Sequence, residues 1–475
     1  MSETPANSVA AADAPPHTGI TAASLGARLD RLPATRAVWK LIALLSLGFF
    51  FEVYDLLFTA YVAPALVQEG ILTPTTAGLF GTTGVAGFVA SLFLGLFLAT
   101  IAGGVLADKF GRRAIFTYSL LWAAAANAIM ACQSTAFGLN FWRFVAGLGI
   151  GVELITIGTY LTELAPKQIR GRAFAFCQAI GFAAVPTVSL LAYWLVPLSP
   201  LGISGWRWTV AIGSGAAVCV WWIRRQLPES PRWLAQHGRL QEADAVVSSL
   251  EQRVERECGY PLPPVRECPV PAQSRSFRDM WAPPYRRRTI MMSVFNVFQT
   301  VGYYGFASWV PTLLIAQGID VTSSLLYTSI IALAAPIGPL IGLGIADRFE
   351  RKHVIVTMAL TNVVCGLLFS QVRHPALIIA MGVCLTLAGN IISYSYHLYQ
   401  QELFPTGIRS RAAGFVYSWS RFSAIFSPFV IAYFLQHFGV TGVFLFIGAA
   451  MSVVVAVIGL MGPRTRGAAL ESISH

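Results

Sequence analysis

GVLADKFGRR, Gly104 to Arg113, is a densely charged turn set between two long apolar runs. A degraded copy, GIADRFERK, runs from Gly344 to Lys352, and Asp347 lies 239 positions after Asp108. A second motif, TELAPKQIRGR, carries Glu163, Pro166, Arg170 and Arg172. It returns as QELFPTGIRSR with Glu402, Pro405, Arg409 and Arg411, each again 239 positions on. Four further pairs at the offset of the Asp pair identify a tandem repeat. The chain reads as two membrane halves with a site between them.

Composition agrees. The 475 residues are 55% hydrophobic and only 12% charged, where a soluble chain would carry about 25% charge. Apolar runs long enough to cross about 30 Å of hydrocarbon recur twelve times. They fall near 39–66, 78–106, 114–132, 137–160, 173–197 and 207–226, then 289–314, 323–346, 353–372, 376–399, 412–436 and 439–462. Backbone amides in lipid must pair internally, so the runs predict helices. The fold class expected is an all-α membrane protein, two parallel six-helix repeats. Pro64, Pro186, Pro311, Pro336, Pro339 and Pro428 should kink or end spans.

The net charge of +11 is topological. Of 33 Lys and Arg, all but Arg143, Arg207, Arg373 and Arg421 fall in the tails, the central loop or alternate loops on one side. By the positive-inside rule that side is the cytoplasm, with both termini there, and a nucleic-acid partner is excluded. The domains expected are a disordered tail (1–37) without a secretory leader, a six-helix bundle (38–226), a cytoplasmic loop (227–288), a second bundle (289–462) and a tail (463–475). The central loop should hold an amphipathic helix from Gly238 to Leu250 on the membrane surface. It reads as a tether or, more sharply, a latch between the halves. The seven Cys match no disulfide framework or zinc spacing, so no metal is expected.

Ionisable groups inside a span are functional suspects, each costing roughly 2.5–3.5 kcal/mol at a helix centre. The first span carries Glu52 and Asp55 on one helical face, and the fourth carries Arg143 and Glu153. Polar faces occur in the second half: Asn296, Gln299 and Tyr303, with Tyr304, on span seven; Asn390, Tyr394 and His397 on span ten; Tyr417 and Arg421 on span eleven. Gln178 on span five joins them. Amides and phenols suit a small polar solute, Trp419 and the tyrosines a flat ring. Arg421 suits a carboxylate better than a neutral sugar.

Gly104-x-x-x-Asp108-Lys109-x-Gly111-Arg112-Arg113 resembles the signature of the major facilitator superfamily. Arg143-x-x-x-Gly147-x-Gly149-x-Gly151 and Pro228-Glu229-Ser230-Pro231-Arg232-Trp233-Leu234 are similar to the sugar-porter and metabolite:proton symporter branches. GARLDRLP, Gly26 to Pro33, resembles bacterial niacin and organic-acid transporters. The second half departs, with Leu343 for the first Gly and Glu350 for the second. The resemblance implies alternating access of the two halves about a midplane site. It implies a cytoplasmic gate built on Asp108 and its basic neighbours, which Glu163, Arg170, Arg348, Glu402 and Arg409 should join. It also implies that Tyr54-Asp55 and Arg143 form a switch, in which a protonated Asp55 releases Arg143 and an ionised one holds it. Glu153 departs from the sugar-porter pattern and reads as a second proton site or a substrate contact.

An ATP-driven pump needs Gly-Lys-Ser/Thr, and no Lys here follows Gly. No filter segment of a channel repeats, and no nucleophile–base constellation of an enzyme stands out. The expectation is a monomeric bacterial inner-membrane symporter without a cofactor, importing a small organic anion, nicotinate-like, with protons. A sugar or polyol porter, a drug:proton antiporter and a non-transporting nutrient receptor are the alternatives.

Overall fold

The computed structural model describes residues 21–265, 277–283, 285–346, 349–404 and 408–465. Their regular structure is helical: α1 (Ala22–Asp30), α2 (Arg36–Gln68), α3 (Gly84–Phe110), α4 (Arg112–Ala131), α5 (Ala136–Leu164), α6 (Arg170–Phe182), α7 (Ala184–Leu195), α8 (Gly205–Arg224), α9 (Pro231–Gln236) and α10 (Leu240–Cys258). The second half holds α11 (Tyr285–Ala307), α12 (Val310–Ala316), α13 (Val321–Ala332), α14 (Ile337–Ala346), α15 (Arg351–Gln371), α16 (Pro375–Glu402) and α17 (Arg409–Met461). Six spans run through α2, α3, α4, α5, α6–α7 and α8. Six more run through α11–α12, α13–α14, α15, α16 and the two arms of α17, which part at Gly439 (φ 65°).

Breaks fall where the chain loses a backbone donor. The gap between α11 and α12 precedes Pro311, and that between α13 and α14 contains Pro336. Proline has no N–H and its ring meets the carbonyl of the preceding turn. Pro64 and Pro428 are carried inside α2 and α17. The second span starts at Gly84, not near 78. Residues 78–83 instead form a turn in which the Gly78 N–H donates to the Thr82 carbonyl at 2.6 Å.

In the first half, α3 and α5 pack with almost no separation. A Cβ on Gly147 would lie 2.4 Å from the Leu92 carbonyl oxygen, so only glycine fits. That close approach, one turn beyond Arg143, holds the arginine in the core. The halves meet along α6 with α14, α7 with α13, and α3 with α17.

One face of the bundle carries α1, α9 and α10, and residues 22–30 depart from the expected tail. Thr21 and Ser24 close a capping box at the start of α1. Leu25, Leu29 and Leu32 bury into a core with Ala243, Val247 and Val254 of α10. Few apolar positions in a polar stretch hid this helix. The amphipathic helix extends to Cys258, and its apolar side docks on α1, α2 and α9 rather than on a membrane surface. Arg28 pairs with Asp244 at 2.5 Å and with Glu251 at 2.6 Å, and Arg31 pairs with Glu251 at 2.6 Å. The start of the central segment, α9 and α10, therefore packs on the first half, whereas Met280 near its end joins the core of the second.

Candidate functional site

At the end of the first half that faces α9, α4 begins at Gly111 (φ 93°), a conformation that favours glycine. The Glu229 carboxylate accepts from the backbone N–H groups of Arg112 (3.0 Å) and Arg113 (3.1 Å). A carboxylate there satisfies orphan donors and suits the helix dipole. A Cβ on Gly111 would lie 2.5 Å from Glu229 Oε2. Arg112 reaches Glu163 at 3.4 Å, and its repeat partner Arg351 reaches Glu402 at 2.9 Å. Glu350 stands 239 positions after Gly111 and accepts from the Thr465 N–H at 2.9 Å. The departure of the second half from the glycine pattern thus has a physical sense. Where Gly111 leaves room for the Glu229 carboxylate at the helix start, Glu350 turns its own carboxylate to the C-terminal segment at Thr465 instead of capping α15.

Several expected gate residues lie elsewhere or outside the described set. Arg170 pairs with Asp30 at 3.1 Å, an oxygen shared with Arg232 at 3.1 Å, so it ties α1 to α6 and α9. Gly104 and Asp108 lie in the last turns of α3 with side chains outside the description. Asp347 and Arg348 lie outside the described residues, as does the side chain of Arg409.

Deep in the first half, α2 and α5 bring Asp55, Arg143 and Glu153 together, all buried. The guanidinium of Arg143 donates to the backbone carbonyl of Asp55 and, at 2.5 Å, to Thr59 Oγ1. It also reaches Asn127 Oδ1 at 3.4 Å and stacks 4.1 Å from the Phe58 ring. The sequence-based expectation of a direct ion pair is modified accordingly. Among the described residues Arg143 grips the backbone turn from Asp55 to Thr59, and the Asp55 carboxylate lies within electrostatic reach of Arg143 and Glu153, beside Asn127. Thr59 and Asn127 escaped the sequence reading because single Thr and Asn residues in apolar helices carry no pattern.

Between the halves stands a cluster centred on Arg421, which is 4% exposed. It donates to the Tyr304 hydroxyl at 3.2 Å and the Tyr417 hydroxyl at 2.6 Å. Its Nε has no hydrogen-bond partner among the described residues. Glu52 of the first half lies within electrostatic reach of this cation. Around it, Phe93 meets the Tyr304 ring at 4.8 Å, and His397 lies 5.7 Å from the Tyr417 ring. Phe174 brings α6 to within 6.3 Å of His397, so residues of both halves surround the cluster.

Other expected site residues separate. Tyr54 donates to the Thr209 carbonyl at 2.9 Å, inside the first bundle. Tyr394 packs with Ala175, under Gly342. Trp419, 37% exposed, turns to the outer seam beside Phe422, because two residues along a helix from Tyr417 is nearly the opposite face. Asn296 and Gln299 are buried in the second bundle, and the Asn296 amide donates to the Met292 carbonyl at 2.8 Å. Gln178 is half-buried on α6. Tyr303 and Asn390 line a pocket between the halves.

The family of sugar (and other) transporters matches residues 41–475. The chain is 28% identical to the inner membrane metabolite transport protein YdjE of Escherichia coli, over 95% of this chain and 98% of that protein. It is 29% identical to the niacin transporter NiaP of Acinetobacter baylyi, over 94% and 99%. Its fold is that of the proton:xylose symporter XylE, with TM-score 0.68 at 19% identity, covering 92% of this chain and 98% of that one. The inward-open form of XylE gives a TM-score of 0.70. The chain belongs to the sugar (and other) transporter family of the major facilitator superfamily, a multi-pass membrane protein that transports a small molecule and is not an enzyme.

Proposed function

We propose that the protein is a proton-coupled symporter of a small organic anion, an aromatic or heteroaromatic carboxylate. One observation carries the reading. A buried guanidinium stands between the halves, held by two phenol hydroxyls, with one N–H left unmatched among the described residues. An arginine fork matches a carboxylate bidentately, and a neutral sugar brings no charge to it. The surrounding Tyr, Phe and His rings suit a planar solute. The likeness to the niacin transporter NiaP supports the same class.

Proton coupling is assigned to Asp55, Glu52 and Glu153, with Arg143 as the fixed cation beside Asp55. The proton gradient supplies the energy, and no cofactor takes part. The distribution of Lys and Arg supports a bacterial inner-membrane location with both termini in the cytoplasm. The monomer holds the whole cleft and is the working unit. Ligand affinity differing between inward and outward states would drive the cycle.

The test is uptake into proteoliposomes under an imposed pH gradient, with radiolabelled nicotinate and benzoate against nicotinamide, xylose and a polyol. Accumulation of an acid that collapses with a protonophore is the expected result. Gradient-driven uptake of the neutral solutes alone would replace the anion with a sugar. Saturable binding without uptake would make the protein a receptor.

A further inference from the structure

Beside the Arg421 cluster the interface between the halves opens into a small pocket. Leu57, Tyr61 and Val185 of the first half bound it, with Tyr303, Ala332 and Asn390 of the second. The pocket and the cation share a wall. The Tyr303 ring meets the Tyr304 ring edge-on at 5.1 Å, and its hydroxyl lies within electrostatic reach of those of Tyr304, Tyr417 and Tyr61.

Most of this lining is apolar, and of its polar side chains, which include Thr328, Asn362 and Thr386, Asn390 is the informative one. It is 2% exposed. Its amide nitrogen donates to the Ala335 carbonyl at 2.9 Å. That carbonyl is available because the helix breaks between α13 and α14. The amide oxygen has no partner among the described residues. The residue sits close against α14, since a Cβ on Gly338 would lie 2.5 Å from the Asn390 Cβ. A buried acceptor held in place and left unmatched is the condition that a ligand donor relieves.

We propose that the pocket takes the ring of the transported carboxylate and that Asn390 Oδ1 accepts from a hydroxyl or N–H on that ring. The inference rests on the Arg421 reading above. The favoured substrate class is then a hydroxylated aromatic acid, with its carboxylate at Arg421. Unsubstituted benzoate leaves the acceptor unmatched. The ring nitrogen of nicotinate is itself an acceptor and fails in the same way.

Calorimetric titration of the purified full-length protein tests this with benzoate, 3- and 4-hydroxybenzoate and the two methoxybenzoates. One hydroxy acid should bind about 3- to 10-fold tighter than benzoate, the worth of one net hydrogen bond. Its methoxy analogue, of greater bulk and without a donor, should show no gain. Asn390→Leu should bring the hydroxy acid down to the level of benzoate. Equal affinity for benzoate and both hydroxy acids in the natural protein overturns the inference, and so does a preference that survives Asn390→Leu. Should that variant fail to fold, the ligand series on the natural protein decides alone. Benzoate binding that is lost in Arg421→Ala, with no hydroxyl preference, overturns this inference and leaves the anion reading standing. Absence of binding by every carboxylate overturns both.

Discussion

Tyr160 and Tyr399, 239 positions apart, make the same bond in the two halves. Tyr160 donates its hydroxyl to the carbonyl of Pro228, and Tyr399 donates to that of Pro463 at 2.7 Å. Both rings are fully buried, at 0% exposure. Each hydroxyl pins the segment that leaves its six-helix bundle. Removing one leaves a carbonyl without its partner and costs about 1 kcal/mol. Tyr160→Phe and Tyr399→Phe should therefore lower the melting temperature of the purified protein by similar amounts, and the double variant by their sum, because distant sites add. A loss from one variant only would show that the two ends are not equivalent.

Asp55→Asn should abolish gradient-driven accumulation and leave substrate exchange across the membrane. The change removes a titratable proton and keeps the backbone carbonyl that Arg143 grips. Counterflow with and without a pH gradient separates the two effects. Accumulation that persists would move the proton to Glu52 or Glu153.

Arg421→Ala should weaken carboxylate binding by 100-fold or more, about 3 kcal/mol for a charge-assisted hydrogen bond. A neutral amide of the same acid should lose much less. Calorimetry on both ligands checks this, and equal losses would assign Arg421 to packing around Tyr304 and Tyr417.

Gly147→Ala should destabilise the first bundle by about 1–3 kcal/mol through overpacking, since its Cβ would meet the Leu92 carbonyl oxygen at 2.4 Å. Thermal unfolding measures the loss. Gly158→Ala is the control, because nothing lies within 4 Å of a Cβ there.

The docking of α1 on α10 should weaken in acid. Burial alone would raise the Glu251 carboxyl, but hydrogen bonds and charge from Arg28 and Arg31 outweigh it and leave the group below the usual carboxylate range. A carboxyl depressed by folding stabilises above its unfolded value, about 4.3, and that stability is lost as pH falls through the folded value. Amide protection in residues 22–30, exchange measured against the intrinsic rate at each pH, should be steady from neutral pH to about 5 and fall below about 4.3. Glu251→Gln should show faster exchange at neutral pH and a flatter profile.

The twelve spans were legible because lipid permits few backbone solutions and the 239-residue offset marks both halves. Boundaries differ mainly at the second span, where the chain turns through Phe80 and Gly81 with positive φ before the helix starts. The buried charges were legible for the same reason of expense, Asp55, Arg143 and Arg421 among them. Their partners were not. Thr59 and Asn127 are ordinary residues until the α2, α4 and α5 faces meet around Arg143. Helical spacing also placed Tyr394 with Asn390, and both pack on α14 glycines, Tyr394 on Gly342 and Asn390 on Gly338, but only Asn390 lines the pocket. Only the third dimension distinguishes them.

The carboxylate that caps the fourth helical segment has a covalent consequence. In the first half it belongs to Glu229, downstream of the sixth span, whereas in the second the Glu350 carboxylate at the start of α15 holds Thr465 of the C-terminal segment and does not cap the helix. If the gene were divided so that the halves were made as two polypeptides, the position of the cut would matter on one side only. A cut between residues 265 and 277 keeps Glu229, α9 and α10 with the first polypeptide, which then folds with its own cap. A cut just after α8 hands that cap to the wrong piece, and the first half should fail to accumulate even while the second folds unaided.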